Sequence, residues 1–279
     1  MASTIDQILR QATQQLAASS PSPRLDAEVL LMHVTSLART ALITRAHDLL
    51  SPAHEERLHE LLARRVRGEP VAYLTGRREF WSLELNVTPD VLIPRPETEL
   101  LVEQALLRIP IEATWIVADL GTGSGAIALA IAKERPRCRV IATDASAAAL
   151  AVACGNAARL GITNIEFRHG DWFAPLAGMK FDLIASNPPY VAEGDLHLSQ
   201  GDVRFEPQTA LIAGTNGLAA VRVIAHDAHR HLRRGGVLLL EHGFDQAPAV
   251  CAILTGQGYE AVATCPDLQG LPRISFGTA

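Results

Sequence analysis

Residues 115–134 read Trp115-Ile-Val-Ala-Asp-Leu-Gly-Thr-Gly-Ser-Gly-Ala-Ile-Ala-Leu-Ala-Ile-Ala-Lys-Glu134. The apolar run Trp115–Leu120 predicts a strand buried on both faces. Gly121, Gly123 and Gly125 then supply a tight turn, and Ala126–Glu134 predicts a helix. Strand, glycine turn and helix together form the opening unit of a doubly wound sheet, whose ligands bind at the carboxyl ends of the strands. Glycines there let the backbone turn sharply and approach a ligand closely, so a nucleotide-type ligand is expected. A dinucleotide fingerprint places its third glycine three positions after the second. Here Gly125 follows Gly123 by only two.

Working downstream, strands and helices alternate. Strands are predicted over Arg139–Thr143, Ile165–His169, Phe181–Ser186 and Val237–Glu241, with weaker ones over Tyr259–Thr264 and Arg273–Phe276. Helices are predicted over Ala147–Leu160 and Gly217–Leu232. This alternation implies an α/β fold with a mostly parallel sheet covered by helices on both faces. The Asp119-Leu-Gly-Thr-Gly-Ser-Gly125 loop resembles the S-adenosylmethionine loop of the Rossmann-like class I methyltransferases, which implies a seven-stranded sheet. The cofactor-binding candidates are then Gly121, Thr122, Gly123, Ser124, Gly125, Asp144, Trp172 and Asn187. Asp144 ends the second strand, where a carboxylate can accept hydrogen bonds from both hydroxyls of a ribose. Gly170-Asp171-Trp172 follows the third, a position that the resemblance assigns to adenine contacts.

A second motif, Asn187-Pro188-Pro189-Tyr190, leaves the strand Phe181–Ser186 directly. The prolines stiffen the loop and remove two backbone donors, leaving their carbonyls as acceptors. An oxygen of Asn187 and the carbonyl of Pro188 can hold both hydrogens of an NH₂ group, while Tyr190 packs on a flat substrate. Such acceptors favour positive charge on a weakly nucleophilic nitrogen as a methyl group arrives. Asn187, Pro188 and Tyr190 are the catalytic candidates, and all four residues are substrate-binding candidates. The tetrapeptide resembles the signature of methyltransferases acting on exocyclic or amide nitrogens in DNA, RNA and protein.

Further stretches carry a narrower resemblance. Pro94-Arg95-Pro96-Glu97-Thr98-Glu99, Asp171-Trp172-Phe173, Val203-Arg204-Phe205-Glu206-Pro207 and Leu239-Leu240-Glu241-His242-Gly243 are similar, in order, to the release-factor glutamine methyltransferases of the HemK/PrmC type. The resemblance implies methyl transfer from S-adenosyl-L-methionine to the glutamine amide in the Gly-Gly-Gln motif of class 1 release factors. It implies these factors as partners, and a monomer is expected. Arg95 and Glu97 read either as ordering the pocket entrance or as a Pro-rich linker whose Glu-Thr-Glu starts the next helix, and the two are compatible. Near the end, Asp267, Gly270 and Arg273 keep the family's spacing, but Leu271-Pro272 fill the gap atypically.

Upstream, residues 1–75 read as a helical bundle. Ile5, Ile8, Leu9, Ala12 and Leu16 recur at helical spacing, and Ser51-Pro52 caps a helix through Arg67. The bundle reads equally as a docking module for the substrate or as a stabilising cap. Residues 76–95 are expected to be a hairpin linker, with Thr88-Pro89-Asp90 turning the chain into Val91-Leu92-Ile93. Residues 96–279 form the expected methyltransferase domain.

The bulk composition narrows the partners. A net charge of −5 argues against a global field for nucleic acid. Basic stretches are confined to Arg64-Arg65-x-Arg67 and Arg77-Arg78. The rival reading, an amino methyltransferase of DNA adenine or ribosomal RNA guanine, lacks the basic recognition region that phosphate contacts require. An adenosylmethionine-binding regulator would not need an intact Asn-Pro-Pro-Tyr. The four cysteines show no metal or disulfide spacing, and His226, His229 and His231 read as a solvated helix face rather than a metal site. Asp6 and Arg10 interrupt any signal-peptide core, and no apolar run is long enough to span a bilayer. A cytoplasmic location is expected.

Overall fold

A computed structural model describes residues 3–279, so the first two positions of the expected bundle lie outside the described residues. The chain divides into two units, one of residues 3–77 with 199–205, the other of residues 78–198 with 206–279.

The smaller unit is helical: α1 (Ile5–Leu16), α2 (Pro23–Thr35), α3 (Arg39–Thr44), α4 (Pro52–Val66) and α5 (Val71–Thr75). Thr4 and Gln7 form a reciprocal capping box at the start of α1, and Ser51 Oγ accepts from His54 N at the start of α4. The apolar stripes meet in a core that includes Leu9, Leu16, Leu30, Leu31, Leu58 and Leu61. Arg65 is buried beside that core. Its guanidinium donates to Asp26 and to Asp202, each at 2.7 Å, the second from the excursion 199–205. Arg64 pairs with Glu69. Two arginines of the basic stretch are therefore engaged within the unit.

The larger unit opens on a two-stranded hairpin, β1 (Arg77–Phe80) and β2 (Leu83–Asn86). Its turn falls at Trp81-Ser82, not at the expected Thr88–Asp90, and Val91–Ile93 is not a strand. Both turn residues adopt left-handed backbones, with φ of 52° and 53°. No glycine or asparagine marks that turn in the sequence. It is held by side chains instead, Trp81 N donating to Glu99 and Ser82 N to Glu79, each at 2.8 Å.

There follow α6 (Glu99–Arg108), β3 (Ile116–Leu120), α7 (Ala126–Glu134), β4 (Arg139–Asp144), α8 (Ala147–Leu160), β5 (Ile165–His169), β6 (Phe181–Ser186), α9 (Ala219–His231), β7 (Leu232–Glu241), α10 (Ala247–Gly256), β8 (Glu260–Pro266) and β9 (Pro272–Thr278). Among the described residues the main sheet has seven strands in the order β5-β4-β3-β6-β7-β9-β8. All neighbouring pairs are parallel up to β7, and β9 is antiparallel to both β7 and β8. The central strands are buried on both faces, as their unbroken apolar runs require. Alternate residues serve opposite layers. Val117, Val140 and Leu183 pack under α6 and α7, whereas Ala118, Ile141 and Ile184 pack under α9 and α10. This is the seven-stranded, mostly parallel sheet of the class I methyltransferase fold, in a chain that also carries an N-terminal helical region.

Candidate active site

The strand order reverses between β3 and β6, and loops leaving the carboxyl ends of such a pair diverge around a crevice. Register sets Leu120 beside Ser186, so Gly121 and Asn187 are the next residues outward on adjacent strands. The buried Ser186 hydroxyl donates to the Leu120 carbonyl at 2.7 Å and ties the two strand ends together. A cavity of about 340 Å³ opens above them, lined by Gly121, Gly123, Asp144, Trp172, Asn187 and Pro189 among others.

The glycine loop is anchored from below. The N–H groups of Gly121 and Thr122 both donate to the Thr143 carbonyl at 2.9 Å. Thr122, Ser124 and Gly125 do not line the cavity. Thr122 and Ser124 are buried, and Gly125, with φ of +86°, caps α7. The Ser124 carbonyl accepts from Asn156, a fully buried residue of α8 that also exchanges two hydrogen bonds with the backbone of Asn86 on β2. Asn156 thus splints the loop to the hairpin.

Asp144 accepts from Gly123 N at 2.9 Å through one carboxylate oxygen and from Ser146 N at 2.8 Å through the other. Each oxygen retains a second lone pair for a ligand hydroxyl. Trp172 adopts a φ of +41°, its carbonyl accepting from the Thr143 hydroxyl at 3.1 Å. Its indole lies over Gly121, where a Cβ would stand 3.3 Å from the ring. Beneath the loop, Asp119 is fully buried. One oxygen accepts from the Thr122 hydroxyl at 2.6 Å, and the other has no hydrogen-bond partner. Burial pushes this carboxyl up to about 7.

Across the crevice, Asn187 Nδ2 donates to the Thr98 hydroxyl at 3.1 Å. Pro188 is buried and Tyr190 is half-buried, and neither lines the cavity. The Tyr190 carbonyl accepts from Gln246 Nε2 at 3.0 Å. Burial, reinforced by the charge of Glu241, raises the Tyr190 phenol above its ordinary value. Glu241, at the end of β7, is itself buried, which pushes its carboxyl up to about 7. The chain beyond Tyr190 returns to the site at Glu206. This buried carboxylate accepts from Ile93 N at 3.0 Å and pairs with Arg95, pinning the Pro-Arg-Pro-Glu-Thr-Glu segment.

Thr98, Asn156, Glu206 and Glu241 were not singled out as site residues by sequence. Three of them sit inside stretches already marked for their resemblance. Asn156 had only one signal, a polar residue in an alanine-rich helix. Arg273 bonds Asp267 at 3.0 Å, and Leu271 N donates to the same carboxylate at 3.0 Å, so the atypical Leu271-Pro272 fits an ordered hairpin end. The three helix histidines turn to different partners: His226 to Gln257, His229 to Tyr259 and His231 to Phe173.

Two family models match the chain: the PrmC N-terminal domain over residues 7–76 and the methyltransferase small domain over residues 96–204. A release factor glutamine methyltransferase of Salmonella typhimurium is 51% identical over 269 residues, 96% of each chain. One from Xylella fastidiosa is 52% identical over 261 residues, 94% of this chain and 95% of that one. Among solved structures, a methyltransferase from Pyrococcus furiosus superposes with a TM-score of 0.53 at 19% identity, covering 77% of this chain and 95% of that one, a likeness of fold alone.

Proposed function

This chain belongs to the release factor glutamine methyltransferase family, and we propose that it methylates the side-chain amide nitrogen of the glutamine in the Gly-Gly-Gln motif of class 1 release factors. The observation that carries the reading is the orientation of Asn187. As the side chain is placed, its Nδ2 donates to Thr98 and Oδ1 is the end left free to accept at the cavity.

The methyl donor is S-adenosyl-L-methionine, which supplies an electrophilic methyl group on a sulfonium. The residues fit it. Gly121 and Gly123 bring backbone to the cavity wall without side chains, Asp144 keeps acceptor capacity for a ribose diol, and Trp172 offers a flat apolar surface. In this assignment Thr122, Ser124 and Gly125 shape the loop from behind. The unpartnered oxygen of Asp119 adds a buried acceptor under it.

Asn187 Oδ1 and the Pro188 carbonyl accept the two hydrogens of the glutamine amide. They hold its plane and favour positive charge on nitrogen as the bond forms. Tyr190 packs against the amide, its raised pKa keeping the phenol neutral. The nitrogen becomes acidic once alkylated, so a strong base is not needed beforehand. Holding nucleophile and methyl group in line supplies much of the rate, since effective molarities reach ~10⁵–10⁸ M.

We assign release-factor docking to the helical unit, supported by the exposed apolar side chains of Ile43 and Leu49. The internal pairing of Arg64 and Arg65 weighs against a phosphate-binding surface there. No helix among the described residues is long and apolar enough to cross a membrane.

The test is incubation with isotope-labelled donor and three substrates: a folded release factor, DNA and ribosomal RNA. Tandem mass spectrometry should place the methyl on the glutamine amide, and a Gln→Asn factor should stay unmodified. Label on nucleic acid with an unmodified release factor replaces this reading with the rival.

A further inference from the structure

Asn187 and Glu241 end adjacent parallel strands. The register pairs Ser186 with Leu240, so the next residues outward stand side by side. Glu241 is 2% exposed, and the nearby Thr98 hydroxyl and Asn187 amide both favour its ionised form. Its Oε2 has no hydrogen-bond partner. A buried carboxylate left partly unsatisfied is costly to the fold.

An amide can flip end for end, and a hydroxyl can either donate or accept. Thr98 alone therefore cannot decide which end of Asn187 faces the cavity. An ionised carboxylate only accepts. Facing Glu241, the Asn187 NH₂ is held inward and Oδ1 outward, whereas the reversed rotamer would set oxygen against oxygen. A reversed Asn187 would offer the substrate NH₂ another NH₂, with nothing to accept its hydrogens.

We propose that Glu241 is a positioning residue which, with Thr98, fixes the side-chain amide of Asn187 so that its oxygen faces the substrate. The proposal rests on the reading of Asn187 as the acceptor for the substrate amide. The charged groups around Glu241 are Arg273 on β9, which favours its ionised form, and Glu97 before α6, which opposes it, while the Tyr190 phenol stays neutral. Burial dominates and pushes the carboxyl up to about 7, so the device responds to pH near neutrality.

The experiment uses the full-length enzyme with a folded release factor. Glu241→Gln keeps shape but lets the pair flip, and should lower kcat by about 10²-fold, the scale of a ~1 Å misplacement. Its affinity for S-adenosyl-L-homocysteine, read by calorimetry, should stay near that of the wild type. In the wild type kcat should rise with pH through about 7, and in Glu241→Gln that limb should vanish. In an Asn187→Ala background, Glu241→Gln should cost nothing more, because the group it positions is gone. A Glu241→Gln enzyme with wild-type kcat, or one whose loss multiplies that of Asn187→Ala, overturns the proposal. Should Glu241→Gln not fold, Thr98→Val must show the same selective loss of kcat, and a wild-type rate overturns it equally. A wild-type protein inactive on a release factor strikes the functional reading, and this proposal with it. An active wild type with an indifferent Glu241→Gln strikes this proposal alone.

Discussion

Asp144 braces the glycine loop through Gly123 N and caps the next turn through Ser146 N, while keeping lone pairs for a ligand. Asp144→Ala should therefore weaken donor binding by about 1–3 kcal/mol, the range for hydrogen bonds to a charged group. Gly123 has a φ of +55°, and a Cβ there meets no protein atom within 4 Å. Gly123→Val should leave the fold intact yet abolish donor binding, because its bulk strains a left-handed backbone and fills the cavity wall. Calorimetry checks both, and unchanged affinities would remove the loop from the cofactor site. Asn187→Ala should split differently. Donor affinity should hold while methyl transfer falls on the order of 10²-fold or more. Near-wild-type turnover would exclude Asn187 from the chemistry. The place of Asp144 at one strand end and of Asn187 just beyond another is legible in the sequence. The partners that aim them, Ser146 N, Thr98 and Glu241, come from other segments and needed coordinates.

At the level of elements, α7, α8, β5 and β6 begin and end at the residues their patterns predict. The hairpin does not. Its turn is stabilised by Glu79 and Glu99, and Glu99 lies 18 residues away in sequence, a distance no local turn rule covers. The Pro94–Glu99 segment is likewise held from afar, by Glu206. Arg95→Ala would leave that carboxylate buried with its charge partner gone. Breaking a fully buried pair typically costs about 3–5 kcal/mol, and the loss here should be smaller, because Arg95 is partly exposed and Glu206 keeps the Ile93 N–H. Trp81, Trp115 and Trp172 are the three tryptophans, and all lie in the larger unit, so urea unfolding followed by their fluorescence reads this unit. An unshifted midpoint would mean that the pair contributes nothing to it.

For the whole molecule, two buried acids set a pH dependence. Asp119 and Glu241 titrate near 7 when folded and near 3.8 and 4.5 when not. Between those values the native state holds more protons than the unfolded chain, so their contribution to stability falls as pH rises from about 4 to about 7. His33 and His242 are depressed by burial and act in the opposite sense, stability falling as pH drops below their ordinary range. The check is therefore a difference. The gap in Tm between Asp119→Asn and the wild type should shift in favour of the variant as pH rises across this window. A gap independent of pH would show that Asp119 titrates normally. The docking assignment predicts that Ile43→Asp with Leu49→Asp raises KM for the release factor and leaves donor affinity unchanged. An unaltered KM would place docking elsewhere.

The succession of strands and helices along the larger unit, the glycine loop and the Asn-Pro-Pro-Tyr segment follow from the sequence itself. Apolar runs, glycines and prolines act on their own stretch of chain, and the family resemblance supplies the substrate. Tertiary structure alone decided which loop residues face the cavity and which turn inward. It also decided that Asn156 and Glu206 splint the loops, and that Glu241 lies against Asn187. The hydrogen bonds of Asn156 and Glu206 join residues 32 to 113 positions apart, and the nearness of Glu241 to Asn187 follows from the register of β6 and β7. A buried polar group is satisfied by whatever the fold brings to it, and no local pattern records that partner.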